Sequence, residues 1–394
     1  MTEHIPTLRG LKEAIPDSCF APSLWTSLGY LTRDILYAAA LAYATTYIPL
    51  LESGSLRFLA WLIYGLLQGF VGTGLWILAH ECGHGAFSSY PLLNDIIGWV
   101  LHSSLLVPYF SWKITHARHH RYSGHMEKDT AFVPPTQAEY AAKRRRWMDA
   151  MEDLVEDTPL STLLRFAAHQ LLGWQAYLLF YATGAKAAIS RPKAQTRTPL
   201  PLSHLSPDSL LFHPKQRPVV LLSDLGLALT ISGLVYLGSI LGPSRVMLLY
   251  FLPYFWVHHW IVAITYLHHT HPQIAHYSSE TWSFTRGALG TVDRSFGFIG
   301  RHFFHHIIDH HVIHHLFPRI PFYRAEEATL AIKPLLGAEY LELREENFLA
   351  TLWRTFRRCQ FVIGGDDVGG KSGVFEWNVV VDGCGNWDIG VSKA

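Results

Sequence analysis

The stretch HVIHHLFP, residues 311–318, contains His311, His314 and His315 at positions i, i+3 and i+4. On a helix this spacing places all three imidazole rings on one face. Two earlier stretches repeat the pattern: HECGH with His80 and His84, and HARHH with His116, His119 and His120. Neutral imidazole is the commonest metal ligand and suits iron, zinc, copper or nickel. Eight such ligands exceed what one ion normally binds, so the sequence predicts two metal ions close together.

The alternative interpretation is that the chain carries three unrelated groups of surface histidines. Three separated segments share one helical spacing, which argues against that alternative. We name the segments box 1 (residues 80–84), box 2 (116–120) and box 3 (311–315), and we expect them to converge in the folded chain.

The composition favours an integral membrane protein. Of the 394 residues 49% are hydrophobic and only 16% are charged, whereas about 25% is the usual charged share. The net charge of +1 gives no indication of nucleic-acid binding. The four cysteines form no CxxC pair, which fits a cytosol-facing or intramembrane setting.

Two pairs of apolar segments predict four transmembrane helices in two hairpins. The pairs are Ile35–Leu51 with Phe58–Ala79, and Val219–Leu241 with Val246–Leu267. Each segment can cross about 30 Å of hydrocarbon as a helix, the first with a slight extension. Basic residues are scarce in the two short turns and frequent on the side of the boxes, so the positive-inside rule places the boxes in the cytoplasm.

The second apolar segment also carries a series of glycines, at positions 65, 69, 72 and 74. Small residues let two helix backbones approach closely, so these positions predict a tight helix–helix contact. The alternative is that they leave room for a lipid chain.

Two further apolar segments, residues 92–109 and 163–182, contain polar side chains and are ambiguous. A spanning helix at either place would put the boxes on opposite sides of the membrane. We therefore predict that both segments are re-entrant or interfacial, or else helices of the cytoplasmic domain.

The predicted fold class is all-α integral membrane, with four transmembrane helices in two hairpins and a cytoplasmic helical cap that carries a His-rich di-metal site. The predicted regions are a cytoplasmic arm (1–34), hairpin 1 (35–79), a cytoplasmic region with boxes 1 and 2 (80–218), hairpin 2 (219–267), a cytoplasmic region with box 3 (268–361) and a flexible tail (362–394).

Metal ions held by imidazoles beneath a bundle of membrane helices suit oxidation of a lipid chain. An alkyl C–H bond has no acidic proton, so a strong oxidant must break it, and a metal pair that activates O2 supplies one. A non-catalytic metal transporter or sensor is the alternative from another class. A transporter would place polar ligands near the middle of the bilayer, whereas the boxes follow the ends of the apolar segments.

Five stretches carry a resemblance to a known family: HECGHGAFS (80–88), HARHHRYSGHMEKDTAFVP (116–134), TYLHHTHP (265–272), RGALGTVDRSFGFIGRHFFHH (286–306) and HHVIHHLFPRIPFYRAEEAT (310–329). They resemble the membrane fatty acyl desaturases, and among these the Δ12 and omega-3 enzymes of fungi and plants. The resemblance runs from about Thr7 to about Tyr340.

This resemblance implies insertion of a cis double bond at Δ12 of an oleoyl chain, at the omega-3 (Δ15) position of a linoleoyl chain, or at both. His268 and the run FPRIPFY (317–323) look more like the omega-3 branch. A fatty acid hydroxylase, acetylenase or conjugase on the same scaffold stays open as the nearest alternative.

The resemblance also implies a non-haem di-iron centre of two Fe ions in an endoplasmic-reticulum membrane protein with both termini in the cytoplasm. The substrate would be a membrane lipid or acyl chain. Electrons would come from NADH through a reductase and cytochrome b5. The sequence has no HPGG haem motif, so cytochrome b5 would be a separate protein.

Residue by residue, the family pattern makes the eight box histidines metal ligands. It adds His269 as a ninth ligand, with His271 as the alternative in the same TYLHHTHP stretch. Glu81 and Asp309 are expected to orient ligand rings. Asp293 and its neighbour Arg294 are expected to form a buried pair that shapes the site.

Overall fold

The computed structural model describes residues 6–150, 159–188, 202–364, 372–381 and 387–389. The helices of this part of the chain are α1 (Leu8–Ala14), α2 (Leu24–Ala44), α3 (Gly54–His84), α4 (Pro91–Ser104), α5 (Tyr109–Tyr122), α6 (Gln137–Ala150), α7 (Pro159–Phe180), α8 (Arg217–Leu241), α9 (Pro243–Val246), α10 (Leu252–His268), α11 (Phe284–Leu289), α12 (Gly297–His302), α13 (His311–Leu316), α14 (Ala325–Leu336) and α15 (Phe348–Arg358). The strands are β1 (His276–Tyr277), β2 (Asp293–Arg294), β3 (Glu342–Leu343), β4 (Val362–Gly364), β5 (Val374–Trp377), β6 (Val379–Val381) and β7 (Trp387–Ile389).

Three helical segments of the described chain are long and apolar enough to cross a membrane: Gly54–His84, Pro214–Leu241 and Pro243–His268. The first contains α3, the second contains α8, and the third joins α9 to α10 through a π-helical turn at Met247–Phe251. These segments correspond to three of the four predicted spans. The four-span arrangement, and the side on which the termini lie, stay predictions.

The first predicted span, residues 35–51, differs from the helix that the chain forms. Helix α2 begins at Leu24, where the Ser23 hydroxyl accepts a hydrogen bond from the Thr26 N–H, and it ends at Ala44. The predicted arm 1–34 therefore contains half of a helix. Asp34, just before the predicted span, lies inside this helix, and its carboxylate pairs with Arg33.

Helix α3 continues past the predicted span end and carries box 1 on its last turn. Gly85 ends it in the left-handed conformation, with φ of 73°, and its N–H bonds back to the Cys82 carbonyl. The predicted glycine contact is present along this helix. A Cβ at Gly69 would lie 2.3 Å from the Trp256 Cβ, and one at Gly72 would lie 2.7 Å from Val257 Cγ2, so α3 and α10 touch almost backbone to backbone.

The two ambiguous segments correspond to α4, with 14 residues, and α7, with 22 residues. Neither is among the three long apolar segments of the described chain. Helix α7 packs against α10, and α4 packs against α3 and α8. Their interfacial location stays a prediction, and residues 151–158 before α7 lie outside the described residues.

The described parts of the predicted tail, residues 362–394, contain four short strands. Strands β4 and β5 pair antiparallel, and β5 pairs with β1, which follows α10. Strands β6 and β7 form a second antiparallel pair. Of these strands, β5 pairs with a partner that lies far back in the chain, whereas β6 and β7 pair with each other. Residues 365–371, 382–386 and 390–394 lie outside the described residues.

Candidate metal centre

Four elements deliver the nine predicted ligands. The end of α3 carries box 1, α5 carries box 2, α13 carries box 3, and His269 is the residue that follows α10. Each box occupies one helical face, as its spacing predicted. Seven of the nine side chains are buried, and the other two, His84 and His116, are half-buried.

Five of the nine rings form one group, which we name the five-histidine group. Its members, whose ligand atoms all lie within 4.8 Å of one another, are His80, His84, His116, His120 and His314. The Nε2 atom of His84 is 3.2 Å from that of His80 and 3.1 Å from that of His116. All three boxes therefore contribute to this group.

A second group, the three-histidine group, contains His119, His269 and His315. His311 lies beside it, with its Nε2 atom 3.2 Å from the Nε2 atom of His269. The two groups adjoin, because the rings of His120 and His315 stack with centroids 4.2 Å apart. The structure thus brings together all nine residues, in two neighbouring sets.

The donor atoms fit metal ions. Metal–imidazole bonds are about 2.1 Å long, so two nitrogens at right angles on one ion lie roughly 3.0 Å apart. The Nε2···Nε2 distances of 3.0–3.2 Å in these groups match that value. Several buried ring nitrogens, among them Nε2 of His314 and both nitrogens of His315, have no hydrogen-bond partner. Buried polar atoms normally have one, so these nitrogens fit ligands of a cation.

Burial keeps the rings neutral, which is the form that binds metal. It lowers the pKa of His116, His120, His314 and His315 well below the usual value, and neighbouring histidines lower it further. The same causes act on His269. These five rings therefore offer lone pairs at neutral pH without first losing a proton.

Asp129 orients one candidate ligand, and the sequence did not indicate this role. Its Oδ1 atom is 2.7 Å from Nδ1 of His119, and both side chains are buried. The carboxylate also accepts the backbone N–H of Gly124 at 3.3 Å and of Ala131 at 2.9 Å. A carboxylate at Nδ1 holds the proton there and leaves Nε2 free for a metal. The residue lies in the quoted stretch 116–134, but its spacing from box 2 matches no rule.

The three residues expected beside the ligands have different outcomes. Glu81, inside box 1, lies with Oε1 3.5 Å from His80 Nδ1, and its Oε2 accepts the Phe322 N–H at 3.1 Å. Asp309 is placed elsewhere, because its carboxylate faces the Arg344 guanidinium at 3.5 Å. His271 belongs to neither group, so geometry favours His269 over it.

The expected pair of Asp293 and Arg294 is replaced by two separate contacts. Asp293 accepts the Val312 N–H at 2.8 Å and so caps the first turn of α13, and the Tyr340 hydroxyl donates to its other oxygen. Arg294 donates to the Leu267 carbonyl at 3.1 Å and pairs with Glu346. The first contact fixes the helix of box 3, and the second fixes the chain just before His269.

Indole rings form an apolar wall against the five-histidine group. The Trp76 ring stacks on His80 with centroids 5.7 Å apart, and the Trp112 ring stacks on His116 at 4.3 Å. Both indoles are buried in the main hydrophobic core. The imidazoles of His80 and His116 therefore meet an apolar surface on this side.

The family assignment follows from this architecture together with the sequence. A family model described as fatty acid desaturase matches residues 57–347, which include all three boxes and His269. The chain belongs to the fatty acid desaturase family. The family resemblance seen in the sequence is thereby confirmed, and the chain is an oxidoreductase of lipid metabolism with apolar membrane helices.

Curated desaturase relatives cover nearly the whole chain. It is 44% identical to an oleate hydroxylase of Claviceps purpurea, over 90% of this chain and 77% of the relative. It is 41% identical to a Δ12 fatty acid desaturase of Mortierella isabellina, over 92% and 89%. It is 39% identical to an omega-6 fatty acid desaturase of Brassica juncea whose name includes the endoplasmic reticulum, over 94% and 91%. Membership of this enzyme family removes the basis for the transporter or sensor alternative.

Proposed function

We propose that the chain is a membrane acyl-lipid desaturase that inserts a cis double bond at the Δ12 position of an oleoyl chain. The observation that carries the proposal is the convergence of nine imidazoles into two adjoining groups at the ends of apolar helices. The names of the Mortierella and Brassica relatives support the Δ12 position. The balanced reaction converts CH2–CH2, O2, two electrons and two protons into CH=CH and two waters.

Two iron ions are the proposed cofactors. The five-histidine group would hold one ion, and the three-histidine group together with His311 would hold the other. When bound, the ions would supply the O2-derived oxidising power that breaking an unactivated C–H bond requires.

The protein's own part is to hold neutral donors in fixed orientations and to exclude water. Burial keeps the imidazoles unprotonated, and Asp129 fixes the proton of His119 on Nδ1. The Asp293 cap and the Arg294 contact fix the two elements that carry His311 and His269. Trp76 and Trp112 shield the donors from water and offer an apolar surface to the acyl chain.

The proposed electron donor is cytochrome b5, reduced by its NADH-dependent reductase, and the proposed location is the endoplasmic-reticulum membrane. The organelle in the name of the Brassica relative supports this location. Both termini and the boxes would face the cytoplasm.

Hydroxylation of oleate is the second candidate, because the Claviceps relative with 44% identity is an oleate hydroxylase. The two outcomes differ in the second step on the same acyl chain, and the ligand set serves both. The omega-3 interpretation keeps only its original support, His268 and residues 317–323. The relatives described above carry Δ12, omega-6 or hydroxylase names instead.

Expression in a yeast that makes no polyunsaturated fatty acids tests the proposal through fatty-acid profiling. Δ12 activity gives a new 18:2 acid, hydroxylation gives a hydroxylated 18:1 acid, and omega-3 activity gives 18:3 only when linoleate is fed. We expect 18:2. A profile that contains only the hydroxylated acid would contradict the proposal and establish the second candidate.

His314→Ala provides the matched ligand test. It removes a buried member of the five-histidine group, and we expect product to fall more than a hundredfold while the protein still inserts. His213→Ala is the control, since His213 is an exposed histidine in the loop before α8. Wild-type product from His314→Ala would count against the ligand role of that group.

A further inference from the structure

A buried carboxylate–imidazole pair lies outside both histidine groups. Asp34 in α2 is 1% exposed, and its Oδ2 atom is 2.8 Å from Nε2 of His305, which is fully buried. His305 belongs to the loop between α12 and α13. Neither residue has a part in metal ligation, so the pair needs another explanation.

The loop that carries His305 adopts a conformation that side chains rarely take. His305 has φ of 48° and His306 has φ of 60°. A left-handed conformation is strained for a non-glycine residue, because its Cβ crowds the following carbonyl oxygen. Such a conformation persists only where surrounding contacts hold it, and the bond to Asp34 is one such contact.

Arg33 holds the other end of the same loop. Its Nη2 atom donates to the His302 carbonyl at 2.8 Å and lies 2.8 Å from the Asp34 carboxylate. Helix α2 thus contacts this segment at two residues, His302 at the end of α12 and His305 in the loop. A charge-assisted hydrogen bond between buried groups is strong and geometrically specific, so these contacts fix the path of the loop.

Helix α3 meets the same point through Gly74. A Cβ there would lie 2.5 Å from the Phe303 carbonyl, 3.0 Å from Asp34 Oδ2 and 3.2 Å from His305 Nε2. Only a glycine lets α2, α3 and the loop come this close. Gly74 therefore packs closely against the loop, whereas the other three glycines of the series in α3 pack against α10.

The contact between Gly74 and His305 lies shortly before box 1 on one chain segment and shortly before box 3 on the other. Beyond Gly74, α3 leads directly to His80, and beyond His305 the chain leads directly to His311. His80 and His314 then meet, with ring centroids 4.7 Å apart. Any shift of the loop against α3 would therefore change the distance between box 1 and box 3.

We propose that Asp34 and His305 form a positioning pair that sets box 1 and box 3 at the distance their shared metal site requires. Helix α2 is then part of the support of the site as well as the helix of the first predicted span. The inference rests on the metal site proposed above, and one of the two measurements below does not depend on metal.

The first measurement is the rate at which purified chain in detergent loses iron to an excess of chelator. Substitutions beside metal ligands typically weaken metal binding 10–100-fold. We expect Asp34→Asn and His305→Phe to lose iron at least about tenfold faster than wild type. Asp224→Asn is the control, because it makes the same change in a half-buried carboxylate of α8.

The second measurement is the rate at which the Cys82 thiol is alkylated in metal-free chain. Mass spectrometry reads the alkylation of each cysteine separately. Cys82 is 1% exposed and packs with Leu31 of α2 and with Phe322, whose ring lies 4.7 Å from that of His305. Loosening of this junction should speed alkylation of Cys82 several-fold. Cys359, buried at the end of α15, should keep its rate and serves as the internal control.

His305→Gln distinguishes loss of the hydrogen bond from a change in side-chain volume, because the glutamine amide can still donate to Asp34. We expect it to restore both rates to within about twofold of wild type, whereas His305→Phe does not. Equal rates in His305→Gln and His305→Phe would overturn the proposal, as would wild-type rates in Asp34→Asn and His305→Phe. If those two variants do not fold, His305→Gln decides, and raised rates in it overturn the proposal. If purified wild-type chain binds no iron, the proposed metal site is contradicted. The Cys82 alkylation rate alone then tests the contact between Asp34 and His305.

Discussion

Asp129 ties the ring of His119 to the loop that follows box 2. Its carboxylate accepts the imidazole Nδ1–H at 2.7 Å, and backbone N–H groups of Gly124 and Ala131 hold the carboxylate in turn. An ionised acceptor makes such a bond about twice as strong as a neutral one. The orientation of one ligand therefore depends on a turn that contains no ligand.

Asp129→Asn should weaken metal binding about 10–100-fold, because an amide supplies one acceptor oxygen where the carboxylate supplies two. The measurement is bound iron per chain in a titration with a competing chelator. Asp208→Asn is the control, since Asp208 is an exposed carboxylate paired with Arg217. Equal chelator resistance in the two variants would contradict the role of Asp129.

At this scale the box histidines were predictable and their supports were not. The positions of His311, His314 and His315 on one face follow from spacing alone. The roles of Asp129 and Asp309 depend on how loops turn, which local spacing does not encode. Asp309 lies only two positions before box 3 in sequence, yet it faces Arg344.

Helix α3 is both a candidate membrane segment and a support of the proposed metal centre. Its glycines let α10 approach almost to backbone contact, and α10 leads to His269 at its end. Close packing of this kind leaves no space for a side chain. The separation of the two helices therefore fixes the separation of box 1 from His269.

Gly69→Ala should destabilise the chain by about 1–3 kcal/mol, because the new Cβ overlaps that of Trp256 and the helices must move apart. Gly233→Ala in α8 is the matched control, since nothing lies within 4 Å of its Cβ position. There we expect a gain of about 0.5–1 kcal/mol from the better helix former. Melting temperature in detergent measures both, and shifts of the same sign would contradict the contact.

At the level of elements, hydropathy predicted hairpin 2 almost to the residue and missed the start of α2. Charged residues usually mark the end of a span, which is why Arg33 and Asp34 misled the prediction. Within the fold these charges pair with each other and with a loop of distant sequence. No pattern near residue 34 contains that information.

Buried histidines outside the metal centre give the whole molecule a predictable response to pH. Burial lowers the pKa of His204 and of His276 to about 4. The unfolded chain protonates both near pH 6.5, so it binds more protons than the folded chain between pH 6.5 and 4. Stability is therefore greatest above pH 6.5 and falls as the pH drops through this window.

The wild-type chain loses stability between pH 7 and pH 5. In His204→Gln we expect this loss to be smaller by about 2 kcal/mol. Thermal inactivation half-life at the two pH values measures the effect. The exposed residue His213 supplies the control substitution His213→Gln, which should leave the difference unchanged. An identical pH response in wild type and His204→Gln would contradict the assignment.

The order of the chain's end was not predictable, because the partner of β5 is β1, far back in the sequence. Strand β1 also joins the loop after box 2, since the Tyr277 N–H donates to the Gly124 carbonyl at 2.9 Å and the Met126 N–H donates to the Tyr277 carbonyl. Asp129 lies in that loop. A nonsense codon between positions 365 and 373 would delete β5 and uncover β1, and so would disturb the proposed metal site in a chain that still contains all nine of its histidines.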